Sequence, residues 1–206
     1  MFMITKKFDY CYGHRVHTQT LNSELACTSQ CKCRHLHGHQ GEVIVKLGAN
    51  KLKDGMVTDF HHLNWFKQWL DKYFDHKMIL DVEDPYLYLM LENRFSFPSF
   101  SFPNLPEWDR KDYDAYSFLT PNYIEVEESL VEGSPVSEKL ALSEVLEGLI
   151  VVNFIPTSEN FAKFFSSVVA LKLEEELSEE DQQRIWVVAV EFKETPKTSS
   201  LYSGGM

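Results

Sequence analysis

The sequence contains no unbroken apolar run of the roughly twenty residues that a bilayer-spanning helix requires, so no membrane association is expected. It also has no cluster of Lys and Arg: 20 basic side chains stand against 31 acidic ones, for a formal charge of −11. A nucleic-acid binder works through a concentrated basic field that neutralises phosphates, and no nucleic-acid partner is expected here. The opening Met-Phe-Met-Ile-Thr-Lys-Lys lacks the long apolar core and cleavage site of a secretory leader, which points to a cytoplasmic protein. Cysteine is scarce and wrongly spread for a disulfide framework. Of four cysteines, Cys27, Cys31 and Cys33 crowd into seven residues, so free thiols or metal ligands are expected.

What is present is enough apolar material for a core. With 44% hydrophobic residues in 206, the chain reads as a single domain over 1–206, carrying an aromatic-rich insertion at about 83–148. Residues 2–12 alternate Phe2, Ile4, Phe8 and Tyr10 with polar Thr5 and Lys7, the period of a half-buried strand, which delivers His14 at its end. Residues 16–32 show no periodicity and read as a loop. Residues 40–47 form a second strand with Val43, Val45 and Leu47 on one face. A turn over 50–55 leads to Asp59, an N-cap for an amphipathic helix over about 60–74. Asp75 and His76 follow at its exit, where a histidine is by itself explained by the negative end of the helix dipole.

In the insertion, Phe95, Phe97, Phe100 and Phe102 alternate with Ser and Pro, and Trp108, Tyr113, Tyr116, Phe118 and Tyr123 follow. So many aromatic side chains must pack on the core, on another subunit or on a ligand. Prolines at 98, 103 and 106 exclude a central strand. A short helix is expected over 137–147, closed by Gly148. Residues 149–155 are strand-like, and Thr157 or Ser158 starts a long helix to about 177 with Phe161, Phe164, Phe165 and Val168 on one face. Residues 185–194 form a strand apolar on both faces, hence central or covered on both sides, and 199–203 supply a last short strand. The order β-β-α-(insertion)-α-β-β predicts an α+β layer, two helices on one face of an antiparallel sheet.

The chemistry centres on Cys33-Arg34-His35-Leu36-His37-Gly38-His39. Side chains two apart on an extended chain point the same way, so His37 and His39 can reach one metal ion. His14 makes a third imidazole, and three histidines with one open position are the usual arrangement of a catalytic zinc. Cys33 can stand beside that ion as a thiolate, because a nearby cation lowers a thiol pKa. A rival arrangement closes a structural zinc with Cys27, Cys31, Cys33 and one of His35 or His37, although the spacing is not the common Cys-x2-Cys knuckle.

His14-Arg15-Val16, the Cys-x3-His-Gly-His of residues 33–39, Gly55-Met56-Val57-Thr58-Asp59-Phe60, Asp75-His76, Pro156-Thr157-Ser158-Glu159-Asn160 and Glu194-Thr195-Pro196 occur in an order that resembles one family. It is the 6-pyruvoyltetrahydropterin synthase and 6-carboxy-5,6,7,8-tetrahydropterin synthase group, and the likeness covers about 1–82 and 149–206. It implies the tunnelling fold (T-fold), a homo-oligomer, in relatives a hexamer, and a lyase that acts on a pterin triphosphate. It further implies Zn2+ on His14, His37 and His39, Cys33 as base, and Asp75 orienting His76 as a second proton relay. Glu194 would hold the pyrimidine edge of the pterin, with Glu159 as a further substrate contact. The three residues between Cys33 and His37 resemble the carboxy branch of 7-deazaguanine (queuosine) biosynthesis, which releases acetaldehyde and triphosphate. The pyruvoyl branch, or a non-catalytic pterin-binding protein of the same fold, is the alternative.

Overall fold

The computed structural model describes residues 1–19, 31–87, 147–152 and 154–204. Cys27, the aromatic residues from Phe95 to Tyr123, and the helix expected over 137–147 except for Glu147, lie outside the described residues. In chain order the elements are β1 (Phe2–His14), β2 (His37–Ala49), α1 (Asn64–Tyr73), β3 (Lys77–Asp81), β4 (Leu149–Val152), α2 (Ser158–Glu176), a single turn α3 (Glu179–Gln182), β5 (Ile185–Thr195) and β6 (Thr198–Tyr202).

β1 and β2 pair antiparallel along their whole length, from Phe2 opposite Ala49 to His14 opposite His37. Alternation along β1 turns Phe8, Tyr10, Tyr12 and His14 to one face, where all are buried, while Asp9 and Cys11 are exposed. Val43 of β2 stands opposite Phe8, and Val43 and the next residue on its face, Val45, in turn pair with Phe192 and Val190 of β5. The other face carries charge: Glu42 takes Lys193 at 3.0 Å and Lys7 at 3.5 Å, and Lys46 meets Glu191 at 3.1 Å. The expectation that β5 is an interior strand holds, since it lies between β2 and β6.

Both helices pack on the apolar face. Asp59 starts the first as expected, its carboxylate accepting the His61 amide at 2.8 Å ahead of a short 3-10 turn, Phe60–Leu63, that runs into α1. Thr157 caps α2 by accepting the Asn160 amide at 3.3 Å. Phe66 of α1 and Phe165 of α2 meet edge to face at 5.8 Å, and Phe165 also reaches Tyr10 of β1 and Phe192 of β5. One aromatic core thus joins both helices to the middle of the sheet.

The sheet is mixed rather than purely antiparallel. Its order is β4-β3-β1-β2-β5-β6, with β3 parallel to β1 and β4 parallel to β3. The expected order omitted β3 because Met78-Ile79-Leu80 is too short a run to show a period. Parallel strands covered on both sides read as plain apolar stretches, as Leu149-Ile150-Val151-Val152 does. Where β3 docks, a Cβ on Gly13 would stand 2.6 Å from the Met78 side chain, so the absence of a side chain lets the two strands meet. The turn before α1 likewise needs Gly55, whose φ is 80°.

Candidate metal and substrate site

His14, His37 and His39 sit on the helix-facing side at the end of the β1–β2 ladder, where His14 is directly opposite His37. They lie inside the strands, with β1 and β2 both longer than the sequence periodicity showed. Each offers a ring nitrogen, and these nitrogens all fall within 4.8 Å of one another. Among the described residues, no other group of His, Cys, Asp and Glu gathers in this way.

Two backbone carbonyls orient the rings. The Nδ1–H of His14 donates to the carbonyl of Pro156 at 2.6 Å, and that of His37 to the carbonyl of His35 at 2.7 Å. A carbonyl can only accept, so both rings are protonated at Nδ1 and keep the Nε2 lone pair for a ligand. The Nε2 atoms of His14 and His39 are buried without a hydrogen-bond partner among the described residues, a cost that a bound cation removes. Burial, followed by the neighbouring His37 and His39, lowers the His14 pKa to about 4 against the opposing bond from Pro156. The ring is therefore held in the neutral form that binds metal. Burial and His37 lower the pKa of His39 as well. The three-histidine group can hold a metal ion.

A hollow of about 360 Å³ opens on this group, lined by His14, His37, Cys33, Glu159 and Glu194 together with Thr18. The Glu194 carboxylate lies 3.7 Å from Nε2 of His14. Its pKa is raised, chiefly by burial, with His37 opposing and Glu159 reinforcing the rise. Cys33 follows the buried Cys31 and belongs to a 3-10 turn, Lys32–Arg34. Burial, a hydrogen bond with Cys31 and the charges of Cys31 and Glu194 push its thiol pKa up. The thiol thus needs a cation close by to act as a base near neutrality.

Asp75 and His76 occupy a different place. One Asp75 oxygen accepts the Cys11 amide at 2.7 Å and the other accepts Nδ1–H of His76 at 2.8 Å. Burial raises the Asp75 pKa, but these two bonds together with the charges of His76 and Lys67 outweigh it and hold the carboxyl below its ordinary value. His76 stands at φ 58°, in the left-handed region, fixed by its amide donating to the Cys11 carbonyl at 2.6 Å. It lines a second hollow, of about 550 Å³, with Cys11, Gln40 and Met78. His37 borders both hollows. Of the residues singled out in the sequence, the chain gathers His14, His37 and His39, sets Cys33, Glu159 and Glu194 with His14 and His37 around one hollow, and places His76 with His37 and His39 around the other.

The sequence pattern missed several parts of this site. The carbonyls of Pro156 and His35 carry no residue signature, although Pro156 lies within a quoted motif. Nor did it assign a part to Tyr12, whose buried ring packs 5.2 Å from His14 and 5.6 Å from His39. Its place was foretold only by the period of β1.

Known proteins resemble the chain over spans from under half to nearly all of its length, and it covers less than two thirds of the length of several of the curated relatives it matches. A 6-carboxy-5,6,7,8-tetrahydropterin synthase of Rickettsia typhi is 35% identical over 95 residues, a match that spans 45% of this chain and 62% of that relative. One of Aquifex aeolicus is 28% identical over 178 residues, 84% of this chain and 81% of the relative. The crystal structure of an uncharacterized protein from Wolinella succinogenes superposes with a TM-score of 0.73 at 32% identity, covering 99% of this chain and 98% of the other. The family model described as 6-pyruvoyl tetrahydropterin synthase matches residues 3–205, a span that takes in both sheet edges, both long helices and all three histidines. With its mixed sheet, its two long helices on one face and its three-histidine group, the chain belongs to the 6-pyruvoyl tetrahydropterin synthase family, and its architecture is the T-fold.

Proposed function

We propose that the chain is a zinc-dependent 6-carboxy-5,6,7,8-tetrahydropterin synthase. It converts 7,8-dihydroneopterin triphosphate and one water to 6-carboxytetrahydropterin in 7-deazaguanine biosynthesis, with acetaldehyde and triphosphate leaving. The observation that carries this reading is the gathering of three imidazoles, two of which, His14 and His37, line a hollow that also holds Cys33 and Glu194. Relatives named for this activity support the carboxy branch.

His14, His37 and His39 would hold the metal, and three neutral imidazoles with an open fourth position suit zinc, which would polarise the hydroxyls of the substrate side chain. Cys33 takes a proton from that side chain. Asp75 fixes the tautomer of His76 through Nδ1, leaving Nε2 to relay a second proton from the other side of His37. Glu194, at the end of β5, accepts the paired N–H groups along the pyrimidine edge of the pterin. Glu159, at the head of α2, gives the substrate a further contact. The active form is a homo-oligomer, a hexamer by the family resemblance.

Metal analysis combined with turnover tests this reading. The native protein should contain about one zinc per chain, lose turnover on chelation and recover it with zinc. His37→Ala should bind zinc far more weakly and be inactive. A His37→Ala protein with full zinc and full rate would refute the site, and a zinc-loaded native protein that binds the pterin without converting it would identify a binding protein instead.

A further inference from the structure

We propose that Asp84 is a positioning residue which, through Arg15, holds Cys33 in place against the three-histidine group; the inference rests on the reading of Cys33 as the base. Beyond His14 the chain leaves the sheet, and the next two residues tie it to two separate parts of the protein. Arg15 is buried, and its Nε lies 3.0 Å from a carboxylate oxygen of Asp84, which is itself fully buried. The Tyr86 ring covers the guanidinium, with its centroid 3.5 Å from the central carbon. Val16 then donates its amide to the carbonyl of Cys33 at 2.8 Å. Arg34 adds a second tie, its Nη1 donating to the Gln19 carbonyl at 3.2 Å.

Asp84 can hold Arg15 because its own position is set by other bonds. Its Oδ1 accepts the Tyr86 amide at 2.9 Å, and its backbone amide donates to the Asp81 carbonyl at 2.9 Å. That leaves Oδ2 for Arg15. Nδ1 of His17 also faces this spot, 4.0 Å from an oxygen of Asp81 and 4.0 Å from Oδ2 of Asp84. Two carboxylates, a guanidinium and an imidazole are thus grouped beside the metal ligands without touching the hollow in which Cys33 stands. A buried guanidinium does not move away from the carboxylate beside it without leaving a charge uncompensated. The residue joined to it by one peptide bond, Val16, inherits that fixed position and passes it to Cys33.

The test uses two variants of the full-length protein. Asp84→Asn keeps an acceptor for the Tyr86 amide and removes the charge that holds Arg15. Tyr86→Leu strips only the covering ring, from a residue 40% exposed, and should fold even if the first variant does not. Three properties are compared with the native protein: zinc content, kcat and KM, and the rate at which iodoacetamide alkylates Cys33 in chelated protein, followed by peptide mass. Asp84→Asn should keep its zinc, alkylate Cys33 at a rate changed about tenfold, and lose about tenfold in kcat with KM nearly unchanged. Tyr86→Leu should show a smaller change in the same direction. Variants that alkylate Cys33 at the native rate would overturn the proposal. If the native protein does not turn the pterin over, the synthase reading fails, and the alkylation rates still decide whether Asp84 positions Cys33.

Discussion

At the scale of single residues, the three histidines that could hold a metal were the most legible part of the chain. His37 and His39 share a face because a strand repeats every two residues, and His14 meets them because the β1–β2 register sets it opposite His37. The atoms that orient these rings were not legible, since the Pro156 and His35 carbonyls belong to the backbone and could be placed only by the fold. Cys31 was hidden for a similar reason: as a sequence position it is one of a crowd of thiols, and only the turn at Lys32–Arg34 brings it to Cys33. The role of Cys33 gives a direct prediction. Cys33→Ala should retain zinc and lose at least about a hundredfold in turnover, the usual worth of a positioned general base. Loss of the metal in that variant would make the cysteine a fourth ligand and close the position reserved for substrate.

At the scale of elements, the long periodic segments were readable, and of the two short apolar strands only one was. The two long helices and β1, β2 and β5 each repeat a pattern often enough to declare a period. β4 shows in the sequence as the start of the apolar run 149–155, whereas β3, five residues long and opening on a lysine, has neither length nor alternation to mark it. Missing β3 also hid where Asp75–His76 would lie, because the edge of β1 next to that strand is what anchors the pair. The contact between helices and sheet is concentrated on Phe165, fully buried against Tyr10, Phe66, Phe74 and Phe192. Phe165→Ala should cost about 3–5 kcal/mol in urea or thermal unfolding. Phe2→Ala, at a half-exposed position on the first strand, should cost no more than about 0.5 kcal/mol. Equal losses would mean that the aromatic core is not where the layers are held together.

At the scale of the whole molecule, 31 acidic residues against 20 basic ones make acid the sensitive direction. Asp181 shows how. Burial works to raise its pKa, but the Ser178 hydroxyl and the Arg184 guanidinium hold it below the ordinary 3.8. Arg184 is itself buried, and it donates to the Val57 carbonyl at 2.7 Å as well as to Asp181 at 2.6 Å, tying the start of β5 to the turn before α1. A carboxyl with a depressed folded pKa stabilises the protein above its unfolded value and loses that contribution as pH falls through the folded one. Melting temperature should therefore drop as pH descends below 3.8, and Asp181→Asn should be less stable at neutral pH yet lose less on acidification. A variant as acid-sensitive as the native protein would remove Asp181 from the explanation.

In the proposed reaction a zinc site beside Cys33 splits the side chain of a pterin triphosphate. That reaction is tested most directly by incubating the zinc-loaded protein with 7,8-dihydroneopterin triphosphate and identifying every product by mass spectrometry. The expected products are 6-carboxytetrahydropterin, acetaldehyde and triphosphate in equal amounts. A pterin product that retains all of its side-chain carbons, with no acetaldehyde, would contradict the proposed reaction.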